Sequence, residues 1–359
     1  MSAMTAGCDA GPADFEPSNL PPVHVTAVLA GTQVDTSVTP AAVTYAPLDL
    51  EGNSSSVSPT SSFHVRVDRL LDPTTATRQS ICLQPFLGNV PAYTDCGDGV
   101  FLEPSYNPVL REVAYHLTTG NLVPGTRYAL TLYSTSGVGA GGLVSYDGVA
   151  LAETFQVEFD IVDTGSVLPP YEGGPTAEYF CGVPSKHCNP DLDATCARSV
   201  SAILGGCALG GCHGVSSMPD AGAPGQASEG LLLGGLAGIQ TTAINQPAHE
   251  TETGEAASQL ETDSLRFGRA MAILSEQGPG YSYLVYKLLA NRATPLTVPW
   301  PDGNTTTDPT EVALLRSSFV VGTPMPPDTA PSAALRRGEA EWLSAWLLQG
   351  APMPTTPCR

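Results

Sequence analysis

Phe155-Gln-Val157-Glu-Phe159-Asp-Ile161, followed by Asp163-Thr-Gly165-Ser-Val-Leu-Pro169-Pro170-Tyr-Glu-Gly173-Gly174-Pro175, is where this chain changes character. In the first stretch apolar residues alternate strictly with polar ones, so an extended chain buries one face and wets the other. The same alternation appears in Phe63-His-Val65-Arg-Val67 and in Tyr128-Ala-Leu130-Thr-Leu132. Clusters of Pro, Gly, Asn and Ser punctuate these runs, so residues 22–162 read as an all-β sandwich of short strands. Val23 through Leu29 is the expected first strand and Phe155 through Ile161 the last. His64 and His116 fall within strand patterns and read as ordinary strand residues, and no catalytic constellation stands out in this half.

Beyond Asp163 the alternation lapses into a Pro/Gly/Cys-rich linker, residues 163–190. From Leu192 the period becomes helical. Leu192, Cys196, Val200, Ile203 and Leu204 share one face, and Gly205-Gly206 is the expected stop. A last helix is expected after Pro331, with Ser332 as cap, Leu335, Trp342, Leu343 and Trp346 on its buried side, and Gly350 ending it. Tyr281 to Leu289 supplies a third helix, and the insertions at 215–229, 245–264 and 291–310 read as loops. The linker composition predicts two cores that touch weakly.

The second half carries the chemistry. In Cys207-Ala-Leu-Gly-Gly-Cys212-His213-Gly214 two thiols are followed at once by a histidine. That arrangement attaches haem covalently: the thiols add to the two vinyl groups and the imidazole binds iron from one face. Four residues separate the cysteines where two are usual, and Gly210-Gly211 lets the longer segment fold into a compact loop. The competing reading is a disulfide-closed turn beside a surface histidine, which does not require His213 at that position. A sixth ligand must reach the opposite haem face. Met218 is only five residues beyond His213, too near to cross the ring, whereas Met325 lies in a Pro324-Met-Pro-Pro loop whose fixed φ angles hold a thioether in place. Its competing reading is a core-filling methionine; Met353 is the reserve and His249 a distant third.

Taken together, His213-Gly214, Gly230-Leu231-Leu232-Leu233, Ser282-Tyr283-Leu284, Met325-Pro326 and Trp346 through Gly350-Ala351 occur in the order found in the c-type cytochrome family, in a divergent bacterial form. The resemblance covers about residues 191–352. It implies a mainly α cytochrome c-like domain with long loops over 191–359, in which the helix before the haem motif and the last helix cross beside the haem. It also implies a covalent haem c, with iron held by His213 and Met325. Leu122-Val-Pro124-Gly125-Thr126-Arg-Tyr128 is similar to a turn of bacterial Ig-like modules, which implies that the β-sandwich is a spacer or adhesive domain.

The start, Met1-Ser-Ala-Met-Thr-Ala-Gly7-Cys8, resembles the end of a bacterial lipoprotein signal, without the charged and apolar regions that precede it. This implies that residues 1–21 are a lipoprotein-like N-terminus and tether, with Cys8 lipidated and residues 9–21 as the flexible tether, and a place in the cell envelope, at the periplasm or the outer membrane surface. The alternative is a cytosolic protein with an exposed N-terminal thiol. With Cys8 assigned to lipid and Cys207 and Cys212 to haem, six of the nine cysteines remain, an even number suited to disulfides in an oxidising compartment. Cys82 and Cys96 flank a short loop and are an expected pair. Cys181, Cys188, Cys196 and Cys358 allow three connectivities. A metal site at Cys181, His187 and Cys188 is a sharper alternative, although its spacing matches no common zinc pattern.

The formal charge of −20 over 359 residues, with only Lys186 and Lys287 as lysines, repels phosphate backbones and argues against nucleic-acid binding. No apolar run approaches the length that spans a bilayer. The expectation is therefore an exported, lipid-anchored monohaem cytochrome that passes single electrons between redox partner proteins of the envelope and is not an enzyme. Two other classes compete with it: a haem enzyme with an open distal site, and a haem-free adhesin whose cysteines are structural.

Overall fold

The computed structural model describes residues 21–35, 42–49, 55–91, 99–118, 120–134, 141–146, 148–162, 180–181, 199–207, 231–248, 271–291 and 337–355, with the single positions 313, 315, 320 and 335. Among the described residues of the first half there are ten strands: β1 Val25–Asp35, β2 Ala42–Pro47, β3 Ser55–Val57, β4 Phe63–Val67, β5 Ile81–Leu87, β6 Val90–Pro91, β7 Leu102–Asn107, β8 Glu112–Leu117, β9 Arg127–Leu132 and β10 Phe155–Ile161. They form two five-stranded sheets, in the orders β2-β1-β4-β8-β7 and β3-β10-β9-β5-β6. All neighbours are antiparallel except β3 with β10. The N-terminal half is thus an all-β domain, and the alternating stretches are its strands β4, β9 and β10.

The inward residues of both sheets make one core. Phe63 of β4 meets Phe159 of β10 at 5.1 Å between ring centroids, and Tyr128 of β9 stacks on Phe159 at 6.3 Å. The first strand differs from expectation: β1 begins at Val25, while Val23 makes only an isolated bridge to Leu151. The outer face of the first sheet also differs. Alternation predicts a wet face, yet His64 and Glu112 are buried there, because the charged groups of β4 and β8 are turned onto one another.

At Leu122–Tyr128 the chain turns tightly into β9. Gly125 takes a left-handed φ of 72°, where a Cβ is costly, and its N–H donates to the Ile161 carbonyl at 2.9 Å. Tyr128 is buried, and its hydroxyl accepts from the Val123 N–H at 3.2 Å, which locks the turn to the strand it feeds.

The second half contains, among the described residues, four α-helices: α1 Val200–Cys207, α2 Leu236–Thr242, α3 Tyr283–Leu289 and α4 Arg337–Leu348. Helix α1 runs through Gly205-Gly206 to Cys207 instead of stopping at the glycines. Its buried face, Val200, Ile203 and Leu204, belongs to the same core as α4, and that packing outweighs the weak helix preference of glycine. The α3 segment is buried on every side, Lys287 included. Helix α4 ends where Gly350 takes a φ of 80°, while Ser332, its expected cap, lies outside the described residues. Helix α2 falls where no helix is expected, since Leu236 and Ile239 alone give too short a periodic pattern.

The two cores do not touch weakly. Leu70, Val109 and Tyr146 of the β half belong to the core of the helical half. Asn107 Nδ2 donates to Ser344 Oγ at 3.1 Å, and the Tyr281 hydroxyl donates to the Pro73 carbonyl at 3.1 Å. Gly280 lies so close to β7 that an added Cβ would stand 2.9 Å from Tyr106 Cδ1. The apolar residues that make this seam carry no strand or helix period, so linker composition says nothing of them.

Candidate functional site

Cys207 is the C-terminal residue of α1, half-buried against the helical core. Its Sγ donates to the Ile203 carbonyl at 3.7 Å and is not in a disulfide. By contrast Cys82 and Cys181 are both disulfide-bonded. Cys207 therefore presents a thiol at the end of a packed helix, with Cys212 and His213 following in sequence. The donor chemistry at this position fits covalent haem attachment, which requires a reduced sulfur.

The core against which Cys207 packs also holds large buried aromatic groups. Trp346 of α4 is fully buried, tilts against Phe180 at 5.6 Å, and its Nε1 donates to the Pro352 carbonyl at 2.9 Å. That hydrogen bond anchors Ala351–Pro354, and Met353 packs against the core from there. Met353 and Cys207 thus lie on one hydrophobic cluster. Tyr286, also fully buried, donates from its hydroxyl to the Gly280 carbonyl at 3.0 Å, and burial holds its phenol protonated well above the usual tyrosine range.

Cys212, His213, Met325, Met218 and His249 lie outside the described residues, as do Cys8, Cys96, Cys188, Cys196 and Cys358. The alternative metal site at Cys181, His187 and Cys188 is corrected on one point: the Cys181 sulfur is already bonded to another sulfur and is not a thiolate ligand. Among the described residues no cluster of three or more His, Cys, Asp or Glu side chains could hold a metal ion. None of the described helices is long and apolar enough to cross a membrane.

No known protein family matches the chain, and no curated protein does. Among solved structures, the N-terminal part of the bacterial S-layer protein SbsC shares 16% identity over 40% of this chain and 24% of that one, at a TM-score of 0.25. Domains 1–6 of the surface layer protein SbsC share 15% identity over 41% of this chain and 14% of that one, also at a TM-score of 0.25. The chain thus spans a quarter or less of the structures it matches.

Sequence reading misses the polar groups of the first sheet's outer face. His64 Nδ1 lies 2.7 Å from Glu112 Oε1, Arg66 Nε donates to Glu112 Oε2 at 2.8 Å, and Ser62 Oγ lies 3.0 Å from His64 Nε2. The His116 ring stands edge-on to His64 at 6.1 Å. The available signal was positional: His64 and Arg66 share the outward face of β4, and β8 brings Glu112 opposite Arg66. Sequence reading also misses Arg111, a buried cation in the turn between β7 and β8.

Proposed function

We propose that this protein is an exported monohaem c-type cytochrome that carries single electrons, with an Ig-like sandwich packed beside a cytochrome c-like helical domain. One observation carries this reading: Cys207 stands as a thiol at the end of a packed helix while Cys82 and Cys181 are oxidised, and Cys212-His213 completes the attachment motif. A bound haem would supply the redox couple. Cys207 and Cys212 would hold it covalently, His213 would face the iron from one side, and Met325, with Met353 in reserve, from the other. The hydroxyl-to-backbone bond of Tyr128, five residues downstream of its partner, supports the Ig-like assignment. The two disulfide-bonded cysteines favour an oxidising compartment, in keeping with a lipid anchor through Cys8 and redox partners in the cell envelope.

Covalent attachment is testable directly. The protein produced with a haem-maturation system is expected to keep its haem through acid-acetone extraction, and Cys212→Ala to retain at most one thioether. Haem that extracts completely would overturn the reading and favour the haem-free adhesin. Carbon monoxide binding to the reduced protein would favour the haem enzyme, since an open iron position accepts it and a His–Met pair does not.

The sixth ligand has its own signature. Methionine bound to ferric haem gives a weak near-infrared band, expected here to vanish in Met325→Ala. Its survival there, with loss in Met353→Ala, would move the ligand to the segment that Trp346 anchors.

A further inference from the structure

Arg111 closes the turn from β7 into β8, where its N–H donates to the Pro108 carbonyl at 3.3 Å and its backbone takes a left-handed φ of 50°. The side chain is only 6% exposed. Its Nη1 donates to the Asp68 carbonyl. The other two nitrogens, Nε and Nη2, are buried and have no hydrogen-bond partner among the described residues. These two atoms form one edge of the guanidinium, whose parallel N–H bonds match the two oxygens of a carboxylate.

A buried guanidinium with one whole edge unmatched is strongly unfavourable, and such a group calls for an anion. The neighbouring carboxylates do not serve it. Asp68 is engaged by His24, through the backbone N–H at 2.8 Å and Nδ1 at 3.0 Å, and Glu112 is held by His64 and Arg66. Arg111 also lies at the seam: Val109, two residues before it, and Leu70, two residues beyond Asp68, belong to the helical core on which Cys207 packs.

We infer that Arg111 anchors a carboxylate at the seam between the two halves, through its Nε and Nη2 edge. The carboxylate is either a haem propionate, which rests on the function proposed above, or that of a diffusible organic acid.

The test uses the full chain, haem-loaded and haem-free, with succinate as the probe and chloride at equal ionic strength as the control. In the haem-free protein succinate is expected to raise the melting temperature saturably. Arg111→Lys, which keeps the charge but loses the fork, should raise the half-saturating concentration about tenfold or more. If a propionate is the partner, the haem-loaded protein is insensitive to succinate, and Arg111→Gln lowers its midpoint potential because a cation beside the haem favours the reduced form. If both forms respond to succinate alike, the site takes a diffusible acid. No saturable effect in the haem-free protein, or one unchanged in Arg111→Lys and Arg111→Gln, overturns the proposal. Should haem fail to attach at all, the functional reading falls while the succinate titration still decides the role of Arg111.

Discussion

Residues 179–359 produced without the β-sandwich are expected to lose cooperative folding, and the full chain to unfold in urea as one transition. Leu70, Val109 and Tyr146 of the β half sit at 6% exposure or less within the helical core. At about 2 kcal/mol for each buried side chain, removing them forfeits roughly 6 kcal/mol, comparable to the whole stability of a typical domain, about 5–15 kcal/mol. Deletion would also take from the Ser344 hydroxyl the hydrogen bond that Asn107 donates, leaving only its own bond to the Glu341 carbonyl, and expose the face of Gly280 that meets Tyr106. Fluorescence of Trp342 and Trp346 reports the helical half during the titration. Two separate transitions in the full chain, the second reproduced by the fragment, would restore the picture of independent domains. A milder version tests the seam alone. Gly280→Ala places a methyl group against the Tyr106 backbone and ring, and overpacking of this kind costs about 1–3 kcal/mol. That loss should appear in the unfolding of both halves.

The seam explains what was legible in the sequence and what was not. Strands β4, β9 and β10 could be read because the apolar core residues of each recur at every second position, which writes a period of two into the sequence, although only β10 keeps its other face partly exposed while β4 and β9 are buried almost throughout. Helices α1 and α4 were readable for the same kind of reason, since Val200, Ile203 and Leu204 in the first and Trp342, Leu343 and Trp346 in the second recur at helical spacing. Strand β7 was not readable: Leu102–Asn107 carries Pro104 and exposed Glu103, tolerable because it is an edge strand. Missing β7 meant missing its turn, and with it Arg111 and the surface that receives Gly280. The polar cluster on β4 and β8 was hidden by the alternation that revealed those strands. A period of two says which residues point outward, and nothing in it says that His64, Arg66 and Glu112 meet there.

That cluster carries the largest expected single-residue effects, and they separate by pH. Burial, followed by the nearby His64, pushes the His116 imidazole down to about 4, with Glu112 partly opposing. A histidine whose folded pKa is depressed stays neutral in the native state while the unfolded chain takes up a proton. Its contribution is therefore complete above about pH 6.5 and lost as pH falls toward 4, on the order of 3 kcal/mol across that window. Glu112 behaves differently. Burial alone would raise its carboxyl, but the charges and hydrogen bonds of His64 and Arg66 outweigh that and hold it below the usual carboxylate range. Its contribution is present above the unfolded value near 4.5 and disappears as pH falls through the folded one. His116→Gln should thus flatten the loss of stability between pH 6.5 and 4 while leaving the steeper loss below it. Glu112→Gln leaves His64 and Arg66 buried without their carboxylate, so it should cost about 3–5 kcal/mol already at neutral pH and remove the lower step. Urea unfolding at pH 7.5, 6, 5 and 4 measures both. A Glu112→Gln protein as stable as the parent at pH 7.5 would mean that the cluster is open to water and the outer face of the first sheet is wet after all.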